Sequence, residues 1–289
     1  MTTIRNKLAP DAIFLKGTLH MARRLVGSLL TAVVALAVCA APAQAAPIDF
    51  TGIVALNNCS GSLVRTPKSA PGDRALVMSN GHCVKFMGAN EVIVNQASSR
   101  TFTLLTPTGG SAGTLRAARL AYATMSGTDV SLYQLNTTYA QIEQQYKIRA
   151  LELSTTHPVA GSDIKVVSGY WKRIYTCKVD GFAYQLKEAQ WTWKDSIRYT
   201  QSCNTIGGTS GSPVVDVAGG KVVGVNNTGN ESGERCTLNN PCEVDQSGAV
   251  TVRKGTNYGQ ETFHISACFG PGTTLNLSLP GCTLPKPQS

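Results

Sequence analysis

The amino-acid sequence predicts an all-β fold. Short runs rich in Val, Ile, Thr and Tyr alternate with breaks of Gly, Asn and Ser, which is the pattern of many short strands joined by turns. In one predicted hairpin, Gly219 and Gly220 separate two Val-rich runs and supply the positive φ angles of a tight two-residue turn. One stretch, residues 138–147, has enough Gln, Glu, Ala and Tyr for a helix, and a surface linker between two halves is the alternative. This pattern is typical of a barrel or a sandwich, with strands at residues 51–56, 75–79, 91–95, 101–105, 129–135, 164–168, 213–217 and 261–266.

The N-terminal segment, residues 1–45, has the pattern of a secretory signal peptide. Arg23 and Arg24 precede an apolar run over residues 25–41, and Ala-Gln-Ala follows at residues 43–45. A positive end, a short apolar core and a small-x-small site together indicate export and cleavage. The apolar run is too short and has the wrong flanks for a membrane-spanning helix. The sequence therefore predicts a secreted, extracellular protein.

The predicted mature chain, residues 46–289, is long enough for one large β domain or two small ones. Met21 is a natural start, so we interpret residues 1–20 as an overcalled start site. The whole chain carries a net charge of +9, and residues 1–45 hold five basic residues against one acidic, which leaves +5 for the mature part. No Lys/Arg cluster is long enough to bind a phosphate backbone, so we do not expect nucleic acid as a partner. After signal cleavage we do not expect a membrane as a partner either.

Cysteine usage also indicates an oxidising compartment. Eight of the nine cysteines lie in the predicted mature chain, and an even number behind an export signal predicts disulfides. Eight cysteines allow 105 pairings, so the count alone leaves the connectivity open. There is no Cys-x-x-Cys pair and only three histidines remain, so we expect no metal and no cofactor.

Three local sequences carry residues suited to acyl transfer. They are Ser-Asn-Gly-His-Cys with His82, Gly-Thr-Asp-Val with Asp129, and Gly-Gly-Thr-Ser-Gly-Ser-Pro with Ser210. A serine hydroxyl is a weak nucleophile until a neighbouring base takes its proton. Histidine suits that role because its ordinary pKa lies near working pH, and a buried carboxylate can fix its tautomer.

On these motifs the chain resembles the trypsin/chymotrypsin-like serine peptidases, especially the secreted bacterial glutamyl-endopeptidase-like (V8-like) branch. That branch shares the Gly-x-Ser-Gly-Ser-Pro loop, and the chain order His, Asp, Ser also matches. The resemblance implies two packed antiparallel β-barrels, stabilised by disulfides, with the active site in the cleft between them. The barrels would span about residues 50–136 and about residues 150–266, followed by a tail at 267–289.

The resemblance also implies an enzyme, a serine-type endopeptidase that cleaves polypeptide substrates through an acyl-enzyme. His82 would be the general base, Asp129 the orienting acid and Ser210 the nucleophile. The backbone N–H groups of Gly208 and Ser210 would form the oxyanion hole. The implied disulfides are Cys59–Cys83, Cys177–Cys203, Cys236–Cys242 and Cys268–Cys282.

The residues expected to form the substrate side-chain pocket differ from those of trypsins and of glutamate-cutting peptidases. Asn204 stands where trypsins carry Asp, and the strand after the nucleophile lacks the His of glutamate-cutting relatives. We therefore expect neither a strong Lys/Arg nor a strong Glu preference, and Asn204, Thr205 and Asn226 are the candidate pocket residues.

Two other functions fit parts of the sequence. A non-catalytic binding protein could use the same fold, because fold does not guarantee activity. A serine esterase usually carries Gly-x-Ser-x-Gly between a strand and a helix, whereas Ser212 breaks that motif here. His157 and His264 are interpreted as structural, and a monomer is expected.

Overall fold

The computed structural model describes residues 47–288, so the predicted signal peptide lies outside the described residues. That part of the chain forms two eight-stranded sheets, which confirms the all-β prediction. None of its helices is long and apolar enough to cross a membrane. The first sheet contains β1 (Ile53–Ala55), β2 (Ser60–Arg65), β3 (Arg74–Ser79), β4 (Val92–Ala97), β5 (Thr101–Leu105), β6 (Ser111–Thr124), β7 (Val130–Thr138) and β8 (Leu151–Glu152). The second contains β9 (Asp163–Ser168), β10 (Arg173–Glu188), β11 (Trp191–Tyr199), β12 (Pro213–Asp216), β13 (Val222–Gly229), β14 (Cys242–Val244), β15 (Val250–Val252) and β16 (Asn257–Glu261).

The first sheet closes into an antiparallel barrel. Its strands follow the order β1-β5-β6-β7-β3-β2, and β1 also pairs with β2, which joins the two ends. β4 pairs with β6 outside this ring, and β8 adds to β2 in parallel. The barrel interior is filled by side chains, among them the edge-to-face pair Phe102 and Tyr133.

The second sheet follows the order β11-β16-β13-β12-β9-β10-β14-β15. Since β10 also pairs with β11, six of these strands form a second ring. Burial alternates along the long strand β10, so one face packs inward and the other meets solvent. The second ring gives the two-barrel architecture that the resemblance implied.

The two sheets share apolar packing. Ile53 and Leu76 of the first sheet belong to the same buried cluster as Val167 and Val225 of the second. Burial of this kind contributes about 25 cal/mol for each Å² of apolar surface removed from water. The packing fixes the loops at the junction of the sheets, where the candidate site lies.

The predicted helix is present as α1 (Tyr139–Tyr146). Thr138 caps it through a capping box: its side chain accepts from the Gln141 N–H, and the Gln141 side chain accepts from the Thr138 N–H. The helix ends at Lys147, whose φ of 58° is left-handed.

Two local predictions were wrong. The turn between β12 and β13 spans residues 217–220, because the Asp216 N–H donates to the Lys221 carbonyl, and of its two glycines only Gly220 has a positive φ, 64°. The strand expected at 261–266 instead ends at Glu261 as β16, and a 3-10 helix follows at Ile265–Cys268. There the Ile265 N–H donates to the Thr262 carbonyl, which turns the chain away from the sheet.

Four disulfides cross-link the described residues. They are the same pairs that the resemblance implied: Cys59–Cys83, Cys177–Cys203, Cys236–Cys242 and Cys268–Cys282. Cys59 precedes β2, and Cys83 directly follows His82. The first bridge therefore fixes the segment that carries this histidine.

Candidate active site

His82 and Asp129 meet at the end of the first barrel. β3 and β7 run antiparallel with Ser79 opposite Ser131, so the residues after β3 lie beside the residue before β7. Nδ1 of His82 lies 2.8 Å from Oδ2 of Asp129, and Asp129 is fully buried. Strand pairing thus joins two groups that are 47 residues apart in sequence.

Both oxygens of the Asp129 carboxylate are engaged. Oδ1 accepts hydrogen bonds from the backbone N–H of Gly81 at 2.6 Å and of His82 at 3.1 Å. Gly81 is required because a Cβ at this position would overlap the Thr124 carbonyl. Since a carboxylate only accepts, Nδ1 of His82 carries a proton and Nε2 of the neutral ring has a free lone pair.

The environment of His82 raises its pKa above the ordinary value of 6.5. Burial alone lowers this pKa, but the charge of Asp129 and the hydrogen bond to it outweigh burial, with a smaller contribution from Glu188. The imidazolium form is therefore stabilised at this position, as a base that holds a proton in a reaction intermediate requires.

The loop that carries Ser210 is held by backbone hydrogen bonds from both sheets. The Ser60 N–H, in β2, donates to the Ser210 carbonyl at 2.8 Å, and the Gly211 N–H donates to the Asn226 carbonyl at 2.9 Å. Gly211 has a φ of 82°, and a Cβ there would overlap the Ser60 carbonyl oxygen. The loop therefore needs glycine after the serine.

Ser210 and His82 line the same cavity, of about 170 Å³. Within residues 47–288 no hydrogen bond joins their side chains; the Ser210 hydroxyl donates to the Asn227 carbonyl at 3.4 Å. Catalytic hydrogen bonds are often long or poorly aligned before substrate binds.

The backbone N–H groups of Gly208 and Ser210 have no acceptor among the described residues. Gly208 has a φ of 89°, and its carbonyl accepts a hydrogen bond from the Ser60 hydroxyl at 3.1 Å. This bond fixes the Gly208–Thr209 peptide, two residues before Ser210. Two free donors beside one hydroxyl are what a developing oxyanion needs.

Thr209, between these two residues, is held by an internal network. Its hydroxyl donates to the Ile206 carbonyl at 2.5 Å and accepts from the Asn226 side-chain amide at 3.1 Å. Because Asn226 also donates to the Thr209 carbonyl at 3.2 Å, its amide is committed to the loop. Asn226 lines the cavity, and its NH₂ group holds the Ser210 loop, whereas its Oδ1 has no hydrogen-bond partner among the described residues.

The other two candidate pocket residues point in different directions. Thr205 lines the cavity, and its hydroxyl donates to the Asn257 side chain at 2.9 Å. Asn204 is exposed and is not among the cavity residues, because the chain turns Thr205 inward and its neighbour outward. Asn257, which the sequence analysis did not identify, also lines the cavity.

One wall of the cavity comes from residues that the sequence analysis did not identify. Phe86 is 67% exposed, and its ring stacks between His82 and Trp191, at centroid distances of 6.4 and 5.8 Å. Glu188, at the end of β10, is 4% exposed and accepts a hydrogen bond from the Asn239 N–H at 2.8 Å. A glutamate next to an aromatic residue at the tip of a hairpin carries no recognisable motif, so only the fold reveals this wall.

Burial raises the pKa of Glu188, and hydrogen bonds and the His82 charge offset only part of that effect. Its Oε2 has no hydrogen-bond partner within the described part of the chain. The cavity therefore combines an aromatic face with a buried acidic group beside the candidate base.

Comparison with known proteins gives one family and a set of similar folds. The family model described as a trypsin-like peptidase domain matches residues 59–225, more than half of the chain. A search of curated protein sequences found no match.

Several solved structures are similar to this one. The MamO protease domain from Magnetospirillum magneticum is 16% identical, with a TM-score of 0.45 over 73% of this chain and 92% of that one. The Nocardiopsis protease NAPase is 15% identical, with a TM-score of 0.43 over 74% of this chain and 93% of that one. The Cellulomonas bogoriensis chymotrypsin is 15% identical, with a TM-score of 0.40 over 74% and 90%.

Proposed function

Since the chain belongs to the trypsin-like peptidase domain family, we propose that it is a secreted bacterial serine endopeptidase with Ser210 as nucleophile, His82 as general base and Asp129 as orienting acid. The observation that carries the proposal is the hydrogen bond of 2.8 Å between Nδ1 of His82 and Oδ2 of the fully buried Asp129. It leaves Nε2 free to accept a proton in the cavity that Ser210 also lines.

In the proposed reaction, Oγ of Ser210 attacks the carbonyl carbon of a peptide bond while its proton passes to Nε2 of His82. The resulting oxyanion accepts hydrogen bonds from the N–H groups of Gly208 and Ser210, each worth about 2.7–4 kcal/mol of transition-state stabilisation. His82 then returns the proton to the leaving amine, which leaves an acyl-enzyme on Ser210. Water, activated by the same base, hydrolyses the ester and restores the hydroxyl.

The four disulfides support secretion, because such bonds persist in oxidising compartments. The loop Gly-x-Ser-Gly-Ser-Pro supports the V8-like branch. The unengaged donors at Gly208 and Ser210 favour catalysis over a role as a mere binding protein.

The test is covalent labelling of the folded protein with a fluorophosphonate, together with digestion of a mixed peptide library. We expect one label per molecule and cleavage of internal peptide bonds, and we expect Ser210→Ala to abolish both. Ser212→Ala is the matched control, because its hydroxyl is buried in the same loop and has no hydrogen-bond partner among the described residues. It should keep both activities.

Other outcomes would identify the alternatives. A folded protein that takes up no label is a binding protein on a peptidase fold. Turnover of esters without turnover of peptides would identify an esterase. Undiminished cleavage by Ser210→Ala would refute the mechanism itself.

A further inference from the structure

Three side chains outside the catalytic cavity converge where β11 pairs with β16. Nε2 of His157 lies 3.1 Å from Oδ2 of Asp195 and 2.8 Å from Oε1 of Glu261. The three donor atoms all lie within 4.8 Å of one another. We propose that His157, Asp195 and Glu261 form a binding site for a divalent transition-metal cation of the Zn²⁺ type.

The orientation of the His157 ring is fixed by its other nitrogen. Nδ1 lies 2.7 Å from the Pro158 carbonyl, which can only accept a hydrogen bond, so Nδ1 carries a proton. In the neutral ring, Nε2 therefore presents its lone pair to two carboxylates. Histidines that bind metals donate their second N–H to a carbonyl or carboxylate in this way.

The ring is also held in place by packing. Its centroid lies 4.4 Å from that of Phe182 and 5.5 Å from that of Phe263. A ligand that is immobilised in this way loses little conformational freedom when it binds an ion.

Glu261 provides an independent observation. Its side chain is only 3% exposed, and its Oε2 has no hydrogen-bond partner within residues 47–288. A buried carboxylate needs a compensating charge or hydrogen bonds.

Two carboxyl groups, those of Asp195 and Glu261, face the single nitrogen Nε2 of His157. When both carboxyl groups are ionised, a divalent cation matches their combined charge. The donor atoms lie slightly closer than the roughly 3.3 Å expected between tetrahedral zinc ligands at bond lengths of about 2.0–2.1 Å. To reach that spacing, Nε2 of His157 and Oε1 of Glu261 must separate by about 0.5 Å, and the His157 side chain, which is 40% exposed, is the one of the two that is not enclosed.

The donor set selects the class of ion. One imidazole nitrogen and two carboxylate oxygens suit Zn²⁺ and similar metals, whereas Ca²⁺ and Mg²⁺ favour sites made only of oxygen ligands. None of the three residues lines the catalytic cavity. The site would therefore stabilise the second sheet and not take part in peptide cleavage.

The test uses the full chain with Ser210→Ala, which prevents autolysis, after removal of metals with a chelator. Zn²⁺ is added in a calorimetric titration and in thermal unfolding. We expect one equivalent to bind and, at a free concentration of about 100 times Kd, the Tm to rise by about 5–10 °C. Ca²⁺ at the same concentration should raise it by less.

Two variants test the ligands. His157→Ala and Glu261→Gln should each weaken Zn²⁺ binding by about 100-fold or more. Glu261→Gln nearly preserves the side-chain volume, so its fold can be checked by its Tm without metal. His82→Ala, which removes the histidine of the catalytic cavity, should leave the Zn²⁺ affinity unchanged.

Two results would overturn the proposal. One is saturable uptake that persists in both His157→Ala and Glu261→Gln, or no saturable uptake at all. The other comes from nuclear magnetic resonance of the ring nitrogens: if both nitrogens of His157 carry protons in the presence of Zn²⁺, the cluster is a salt bridge.

Discussion

The substitution Asp129→Asn tests the candidate site most directly, because the structure determines which way the new amide faces. Oδ1 of Asp129 accepts from two backbone N–H groups, of Gly81 and His82. If the amide nitrogen took this place, two buried donors would lose their acceptor, at about 1–3 kcal/mol each. The amide oxygen must therefore remain there, and the NH₂ group must face Nδ1 of His82.

This orientation of the amide moves the proton of the neutral His82 ring from Nδ1 to Nε2. Nδ1 must now accept a hydrogen bond, so Nε2 carries the proton and cannot take the one from Ser210. The same substitution in other enzymes with this triad lowers kcat by about 10⁴, which corresponds to about 5.4 kcal/mol. The fold should survive, because both backbone donors keep their acceptor.

The assay measures kcat and KM on a chromogenic peptide for wild type and for Asp129→Asn. Resonances of the His82 ring nitrogens report which one carries the proton, and thermal unfolding checks the fold. We expect kcat to fall by about four orders of magnitude and KM to change little. A kcat within tenfold of wild type, with the proton on Nε2, would show that His82 is not the base.

Two further substitutions probe the surroundings of the site. Glu188→Gln removes a negative charge that raises the pKa of His82. The imidazolium becomes less stable, so the acidic limb of the pH profile of kcat/KM should move to lower pH. An unmoved limb would show that the Glu188 charge does not influence His82. Gly211→Ala places a methyl group against the Ser60 carbonyl at a φ of 82°, and it should cost at least about 2 kcal/mol and lower the Tm by about 4–8 °C. Gly207→Ala, whose Cβ would meet nothing within 4 Å, is its control and should keep the Tm of wild type.

The parts of the candidate site that depend on short motifs could be proposed from the sequence. Ser210 stands in a glycine-rich turn, and His82 stands beside a cysteine. In each case a few neighbouring residues are enough to indicate the role of the side chain. The all-β class could also be predicted from the sequence, because strand periodicity is a local property. The register and the ends of the strands were harder to predict. β16 ends at Glu261 because the Ile265 N–H donates to the Thr262 carbonyl in a turn, and no hydropathy pattern encodes this turn.

The acidic and aromatic wall of the cavity could not be predicted for a different reason. Glu188 and Trp191 lie at the tip of the β10–β11 hairpin, about 100 residues after Phe86. Only the packing of the second sheet against the first brings them together. Likewise, His157 and Glu261 are more than 100 residues apart, and a search for closely spaced metal ligands overlooks such pairs.

Ser60 belongs to the first sheet, yet its N–H and hydroxyl donate to the Ser210 and Gly208 carbonyls in the loop between β11 and β12 of the second. The loop bearing Ser210 is thus completed by atoms from the opposite half of the molecule. A chain in which only one half has folded contains every side chain of the candidate site, but it cannot bring them into the geometry of the folded protein. If Ser210 is the nucleophile that we propose, hydrolysis becomes conditional on both halves having docked.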